Sequence, residues 1–168
     1  MTDLLIIGGG AAGMAASVAA GSLGDRVLIL ERMDRVGKKL LATGNGRCNL
    51  MNTGTPRFRG NPLAMQVMKD CGCARQKAFW EYFGLSMREE AEGRVYPSSG
   101  QASTVLDVLR YQMDHLGVRI ETGISAERIV PCGDAIRVLD QKGQCWQGKR
   151  VLRASGGCAQ AKLGSDGS

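Results

Sequence analysis

Three glycines spaced Gly8-x-Gly10-x-x-Gly13 stand directly after the apolar run LLIIG, and an acid, Glu31, follows Gly13 by 18 residues at the end of a second apolar run, RVLIL. That set of residue types suits a dinucleotide. Gly8 allows a sharp turn, Gly10 has no Cβ to keep the backbone from a pyrophosphate, and Gly13 lets the following helix lie close on the strand. Free N–H groups and the helix dipole then face the phosphates, worth about 0.3 to 1 kcal/mol per favourable charge at exposed sites. Glu31 is placed to accept hydrogen bonds from the adenosine ribose hydroxyls. Its charge argues against a 2′-phosphate, and so against NADP, at this position. The plain alternative is a glycine-rich turn with no ligand.

The elements that must position these residues are legible on either side. LLIIG reads as a buried strand, AAGMAASVAAGSLG as a helix ending near Gly21 to Gly24, and RVLIL as a second buried strand ending at Glu31. Together they form a βαβ unit of about thirty residues, which requires a crossover helix and a parallel strand pair. NPLAMQVMKDCG and ARQKAFWEYFG read as two short covering helices, LSMREEAEGRVYPSSGQ as a hairpin, and ASTVLDVLRYQMDHLG as an amphipathic helix closed by Gly117. VRIETG, SAERIVPCGDAIRVLD and CWQGKRVLRASGG follow as a succession of short strands. The fold class expected is α/β: a Rossmann-like dinucleotide-binding domain with a central parallel sheet and a small antiparallel β-layer.

A second glycine cluster, GKKLLATGNGRCNL over residues 37 to 50, is neither a convincing strand nor a full helix. Gly44 and Gly46 permit a close backbone approach, while Asn45, Arg47 and Asn49 carry donors suited to phosphate oxygens.

Composition excludes several classes. The 168 residues are 43% hydrophobic and 23% charged, which fits one ordinary globular domain and not a disordered chain. No basic leader or cleavage-like site follows Met1, and no window reaches the roughly 18 apolar residues of a membrane span. Six cysteines without a CxxC pair read as reduced thiols of a cytoplasmic protein, and no metal is expected. The net charge of +6 raises a nucleic-acid reading. The 22 Lys and Arg are nevertheless spread evenly, and no helix-turn-helix, zinc finger or aromatic RNA-binding strand accompanies them, so no nucleic-acid partner is expected. His115 falls late on its helix as a surface cap, and Phe79, Trp80 and Phe83 at helical spacing read as packing.

Beyond Gly13 the small residues Ser17 and Gly24 extend a spacing that resembles the FAD pattern of the glutathione-reductase-like flavoproteins. More specifically, GKKLLATGNGRCNL together with LLIIGGGAAGMAAS and LILERMDRVGKK resembles the bacterial NAD(P)/FAD-dependent oxidoreductases of the BaiN type, the aminoacetone oxidase family of FAD-binding enzymes. GRVYPSSGQASTVLDVL and VLRASGGCAQAKLGSDGS add to the resemblance, and the run Thr43 to Asn49 is its most specific element. Ser155 stands where members usually carry threonine, and Cys158-Ala159-Gln160-Ala161 where they carry an aromatic and a proline.

The resemblance implies an FAD pyrophosphate at Gly8, Gly10, Ala12 and Gly13, with Glu31 on the adenosine ribose. It implies that Lys39, Gly44, Asn45, Gly46, Arg47 and Asn49 pass along the pyrophosphate and flavin, that Ala126 meets adenine through its backbone, and that Ala154, Ser155 and Gly156 line the cofactor. It also implies an FAD-dependent oxidoreductase with NAD(P)H as electron donor and a small-molecule substrate. Residues 1–168 would then be a partial FAD-binding domain, the front part of a longer enzyme and inactive alone. A non-catalytic dinucleotide-binding module and a basic nucleic-acid-associated protein are the rival readings.

Overall fold

The computed structural model describes residues 1–54, 62–158 and 163. Its chain divides into two compact units, Met1–Leu40 with Leu109–Ser168, and Leu41–Val108.

The first unit is built on a six-stranded sheet in the order β6 (Arg119–Thr122), β2 (Val27–Glu31), β1 (Thr2–Ile7), β9 (Cys145–Arg153), β8 (Ala135–Asp140) and β7 (Ala126–Cys132). β1 lies between β2 and β9, parallel to both, and β6 pairs parallel with β2. β7 and β8 run antiparallel, and β8 pairs with the first half of β9. α1 (Ala11–Ser22) connects β1 to β2 and is closed as expected at Gly24, with the Asp25 N–H reaching back to the Ala20 carbonyl at 3.1 Å. The near-continuous apolar runs of β1 and β2 follow from burial on both faces: Leu5, Ile6, Leu28, Ile29 and Leu30 are all buried.

One face of the sheet takes α1 through Met14 and Val18. On the other, Leu5, Leu28 and Leu30 cluster with Val138, and Trp146 packs against them. β9 serves both layers. Gly148 is opposite Thr2 on one side and Ile136 on the other, and a Cβ there would come within 3.0 Å of the Leu5 Cβ.

Asp140 holds the turn between β8 and β9. Its carboxylate is buried and accepts the Trp146 indole N–H at 3.0 Å and the Lys142 and Gln144 N–H groups at 2.9 Å each. The indole bond leads in holding this carboxyl below the usual aspartate range. A lowered carboxyl stabilises the fold above the unfolded value, about pH 3.9, and loses that contribution as pH falls. Asp140→Asn is therefore expected to lower the melting temperature at pH 7. The gap to the natural protein should narrow in melts recorded below about pH 3.9.

The second unit carries a three-stranded antiparallel sheet, β3 (Met51–Asn52), β5 (Arg94–Pro97) and β4 (Met87–Glu89), in the order β3-β5-β4. It also holds α3 (Pro62–Asp70) and α4 (Cys73–Tyr82). Phe79, Trp80, Tyr82 and Phe83 form a chain of edge-on ring contacts with centroids 4.9 to 5.1 Å apart, and the three rings expected to pack in a core are half-buried at the end of a helix that buries none of its residues. The unit boundaries fall within α2 (Lys38–Ala42) and α5 (Ala102–His115). α5 buries Ala102, Val105, Leu106, Leu109 and Met113, the stripe that its sequence period announces. His115 is exposed and stacks on Tyr111. Among the described residues no helix is long and apolar enough to cross a membrane, and no group of three or more His, Cys, Asp or Glu is placed to hold a metal.

Candidate dinucleotide site

The three glycines of the first motif have separable roles. Gly8 sits at φ 106, a region that disfavours side chains, and a Cβ there would stand 2.4 Å from the Ala154 carbonyl oxygen. At Gly13 a Cβ would stand 1.9 Å from the Gly8 carbonyl oxygen, so this glycine is what lets α1 start against the turn. Gly10 differs, because among the described residues nothing lies within 4 Å of where its Cβ would be. Its backbone conformation, φ −77 and ψ −174, is open to any residue. Internal packing therefore gives no reason for glycine at position 10, and that open approach fits a group arriving from outside the chain.

Glu31 ends β2 with its carboxylate turned to the same turn. Oε2 accepts the Gly9 N–H at 2.6 Å and Oε1 the Met33 N–H at 2.7 Å. The carboxylate thus holds the glycine turn as well as being available at a strand end. Gly9, the unassigned position of the motif, is a residue that sequence reasoning missed. It is buried, its carbonyl accepts the Gly37 N–H at 2.9 Å, and a Cβ there would come within 2.4 Å of the Val36 side chain. The unbroken Gly8-Gly9-Gly10 run was the available signal.

Of the remaining expected residues of the first unit, Ala12, Ala154, Ser155 and Gly156 gather at the same end of the parallel strands. Ala12 is exposed in the first turn of α1. The Ala154 N–H donates to the Ile7 carbonyl at 2.8 Å, which carries the chain of β9 past the glycine turn. Ser155 follows, its hydroxyl accepting the Arg153 Nε–H at 3.2 Å, and then Gly156 at φ 83. Ala126 opens β7 opposite Asp140, close behind a loop tied to the end of β2 by the Ile124 N–H on the Glu31 carbonyl at 3.0 Å. Lys39 is half-buried on α2. The Gly-Ser-x-Gly turn and Lys162 lie outside the described residues.

Gly44, Asn45, Gly46, Arg47 and Asn49 belong to the second unit. They form a 3₁₀ turn over Thr43–Gly46 and its exit, with Gly44, Asn45, Gly46 and Cys48 all at positive φ. The donors expected of Asn45 and Asn49 are exposed. The Arg47 guanidinium instead lies 4.1 Å from the Tyr96 ring centroid and bonds Glu90 at 2.5 Å. Glu90 and Tyr96 are further residues that sequence reasoning passed over. Cys48 is buried, and burial pushes its thiol up, with a hydrogen bond to Thr43 opposing the shift. A raised thiol is a poor nucleophile at neutral pH. A disulfide-type thiol reagent applied to the folded protein is accordingly expected to label the exposed Cys71, Cys145 and Cys158 before Cys48; prior labelling of Cys48, read by mass spectrometry, would contradict this.

The glycine turn, the open approach at Gly10 and the acid at the end of β2 sit where a sheet of this topology takes a dinucleotide. The model of the HI0933-like protein Rossmann domain matches residues 2–168. The chain belongs to that family. The chain is 40% identical over 174 residues to the 3-dehydro-bile acid delta(4,6)-reductase of Clostridium scindens, covering 100% of this chain and 42% of that protein. To the ribosomal RNA dihydrouridine synthase of Escherichia coli it is 50% identical over 173 residues, covering 97% of this chain and 41% of that protein. The chain thus spans about two fifths of the length of these curated relatives. Among solved structures it is similar to the 3-ketosteroid-delta4-(5alpha)-dehydrogenase of Rhodococcus jostii, with TM-score 0.64 and 20% identity, covering 93% of this chain and 46% of that one. This last likeness speaks to the fold, which is the expected Rossmann-like α/β domain with a mainly parallel sheet and a small antiparallel one.

Proposed function

We propose that this family member is the FAD-binding part of a flavin-dependent reductase, with Gly8, Gly10, Ala12 and Gly13 at the pyrophosphate and Glu31 at the adenosine ribose. The observation that carries the reading is the open approach at Gly10 beside a helix N-terminus, with Glu31 fixed at the neighbouring strand end. Ala126, Ala154, Ser155 and Gly156 are proposed to border the cofactor from the β7 and β9 sides. Lys39 and the turn with Gly44, Asn45, Gly46, Arg47 and Asn49 are proposed as further contacts. FAD, when bound, supplies two-electron hydride chemistry, and NAD(P)H is the proposed donor. The protein's own share is to bind the phosphates through backbone N–H groups, orient the ribose through Glu31 and leave a close backbone approach at Gly10.

The names of the two curated relatives supply a substrate class. A 3-dehydro-bile acid delta(4,6)-reductase and a dihydrouridine synthase have in common, by their names, the addition of hydrogen to an unsaturated substrate. We propose the same chemistry here. The expectation that nucleic acid is no partner is not carried into this reading, because the relative at 50% identity is a ribosomal RNA enzyme and the net charge of +6 suits an anionic substrate. Residues 1–168 are proposed as a partial FAD-binding domain that needs further polypeptide for turnover, in keeping with the two-fifths coverage.

The test compares the isolated 168 residues with the full-length protein that carries them. Flavin absorbance at stoichiometric occupancy and NAD(P)H oxidation are expected in the long form only, with a 4-en-3-one steroid and with ribosomal RNA offered in parallel to decide the substrate. A colourless full-length protein that gains no flavin on reconstitution would refute the reading.

A further inference from the structure

We infer that Glu90 and Tyr96 are positioning residues that act through Arg47 to hold the turn at residues 43–49 in its left-handed form before a cofactor arrives; the link to the cofactor rests on the function proposed above. Four of the five residues from Gly44 to Cys48 have positive φ, and two of them, Asn45 at 55 and Cys48 at 58, are not glycine. Backbone of this kind persists only where its surroundings fix it. Within the turn the Arg47 N–H donates to the Gly44 carbonyl at 3.1 Å and the Cys48 N–H to the Thr43 carbonyl at 3.0 Å, beside the hydrogen bond between the Cys48 thiol and Thr43. Its exit is anchored by the Leu50 N–H on the Val95 carbonyl at 2.8 Å.

The side chain of Arg47 supplies a further tie, and the β4–β5 hairpin provides both halves of the clasp. Tyr96 in β5 lies opposite Arg88 in β4, with Glu90 just past the end of β4. The guanidinium lies over the buried Tyr96 ring while its Nη2 bonds Glu90 Oε1, which also accepts Arg88 Nε at 3.1 Å. The ring reaches the turn a second time, since a Cβ at Gly44 would lie 3.4 Å from Tyr96 Cε1. The Tyr96 ring therefore lies beside both Gly44 and Arg47. Arginine rather than lysine fits this place, because a planar guanidinium can stack on a ring and bond a carboxylate at once.

A turn that is ordered in advance spares the ligand the cost of ordering it: apparent affinity falls in proportion to the fraction of molecules holding the competent form. In the full-length protein, Glu90→Ala and Tyr96→Leu are each expected to speed amide hydrogen exchange at Arg47 and Cys48 in the flavin-free state, with β1 and β9 amides unchanged. Each should weaken FAD binding by about tenfold, as expected if roughly one molecule in ten keeps the turn. Tyr96→Phe, which keeps the ring, should behave like the natural protein on both counts. Unchanged exchange at Arg47 and Cys48 in Glu90→Ala and Tyr96→Leu would overturn the clasp. Faster exchange with unaltered FAD affinity would overturn its link to binding. A natural protein that binds no FAD at all would instead sink the function proposed above, while the exchange data would still decide the clasp.

Discussion

Gly10→Val is expected to leave the flavin-free protein folded and nearly as stable as before, yet to abolish FAD binding, whereas Gly13→Val should prevent stable folding. The two positions are three residues apart and chemically identical, so the contrast isolates what each glycine is for. At position 10 an added Cβ meets no described residue within 4 Å and the backbone needs no change. Beyond the modest loss of a favourable N-cap residue, the cost falls on a ligand that approaches the backbone from outside. At position 13 the Cβ would sit 1.9 Å from a backbone oxygen, and neither the Gly8 turn nor α1 can give way without losing the other. Penalties above about 4 kcal/mol belong to such irreducible clashes. Thermal melts of the apo proteins and flavin fluorescence titrations read the two outcomes. Unaltered FAD affinity in Gly10→Val would take the pyrophosphate away from this turn.

Glu31→Arg should also lose FAD, and Glu31→Gln should separate the two duties of the carboxylate. The side chain accepts two backbone N–H groups, from Gly9 and Met33, and is proposed to accept ribose hydroxyls as well. Arginine has no acceptor and brings a cation to the same place, so both duties fail. Glutamine keeps one carbonyl acceptor and loses the charge. Hydrogen bonds to a charged group contribute about 1.5 to 3 kcal/mol, so the glutamine variant should bind FAD on the order of tenfold more weakly. Equal affinity in the natural protein and both variants, measured by isothermal titration, would remove Glu31 from the ribose.

The legible parts of the site were the local ones. Gly8, Gly10, Gly13 and Glu31 lie on one βαβ unit, where a strand, a turn and a helix follow each other in sequence and each glycine has its own steric reason. The 43–49 turn announced its unusual backbone through Gly44 and Gly46, but nothing in its own sequence named its supports. Arg47 reads as a free donor until the β4–β5 hairpin brings Glu90 to it across a separation of 43 residues. Gly9 was hidden by the motif itself, which leaves its position open although the Glu31 carboxylate and Val36 close on it. β3, at two residues, is too short to show any period. Nothing local marks Asp140 for burial, and only the pairing of β8 with β9 sets Trp146 against it.

The double duty of β9 has a kinetic side. β1 pairs with β2 over a short connection, but its other neighbour arrives only when residues 148 to 153 have been made. At a synthesis rate of about 5 to 20 residues per second, the β1-α1-β2 unit must wait on the order of ten seconds for that strand. Until then one side of β1 offers unpaired N–H and C=O groups, and Leu5, Leu28 and Leu30 lack the Val138 and Trp146 that cover them. The nascent chain is therefore at its most association-prone between completion of β2 and emergence of β9, and slowed translation across residues 109 to 153 should lower the soluble yield more than the same delay before residue 31.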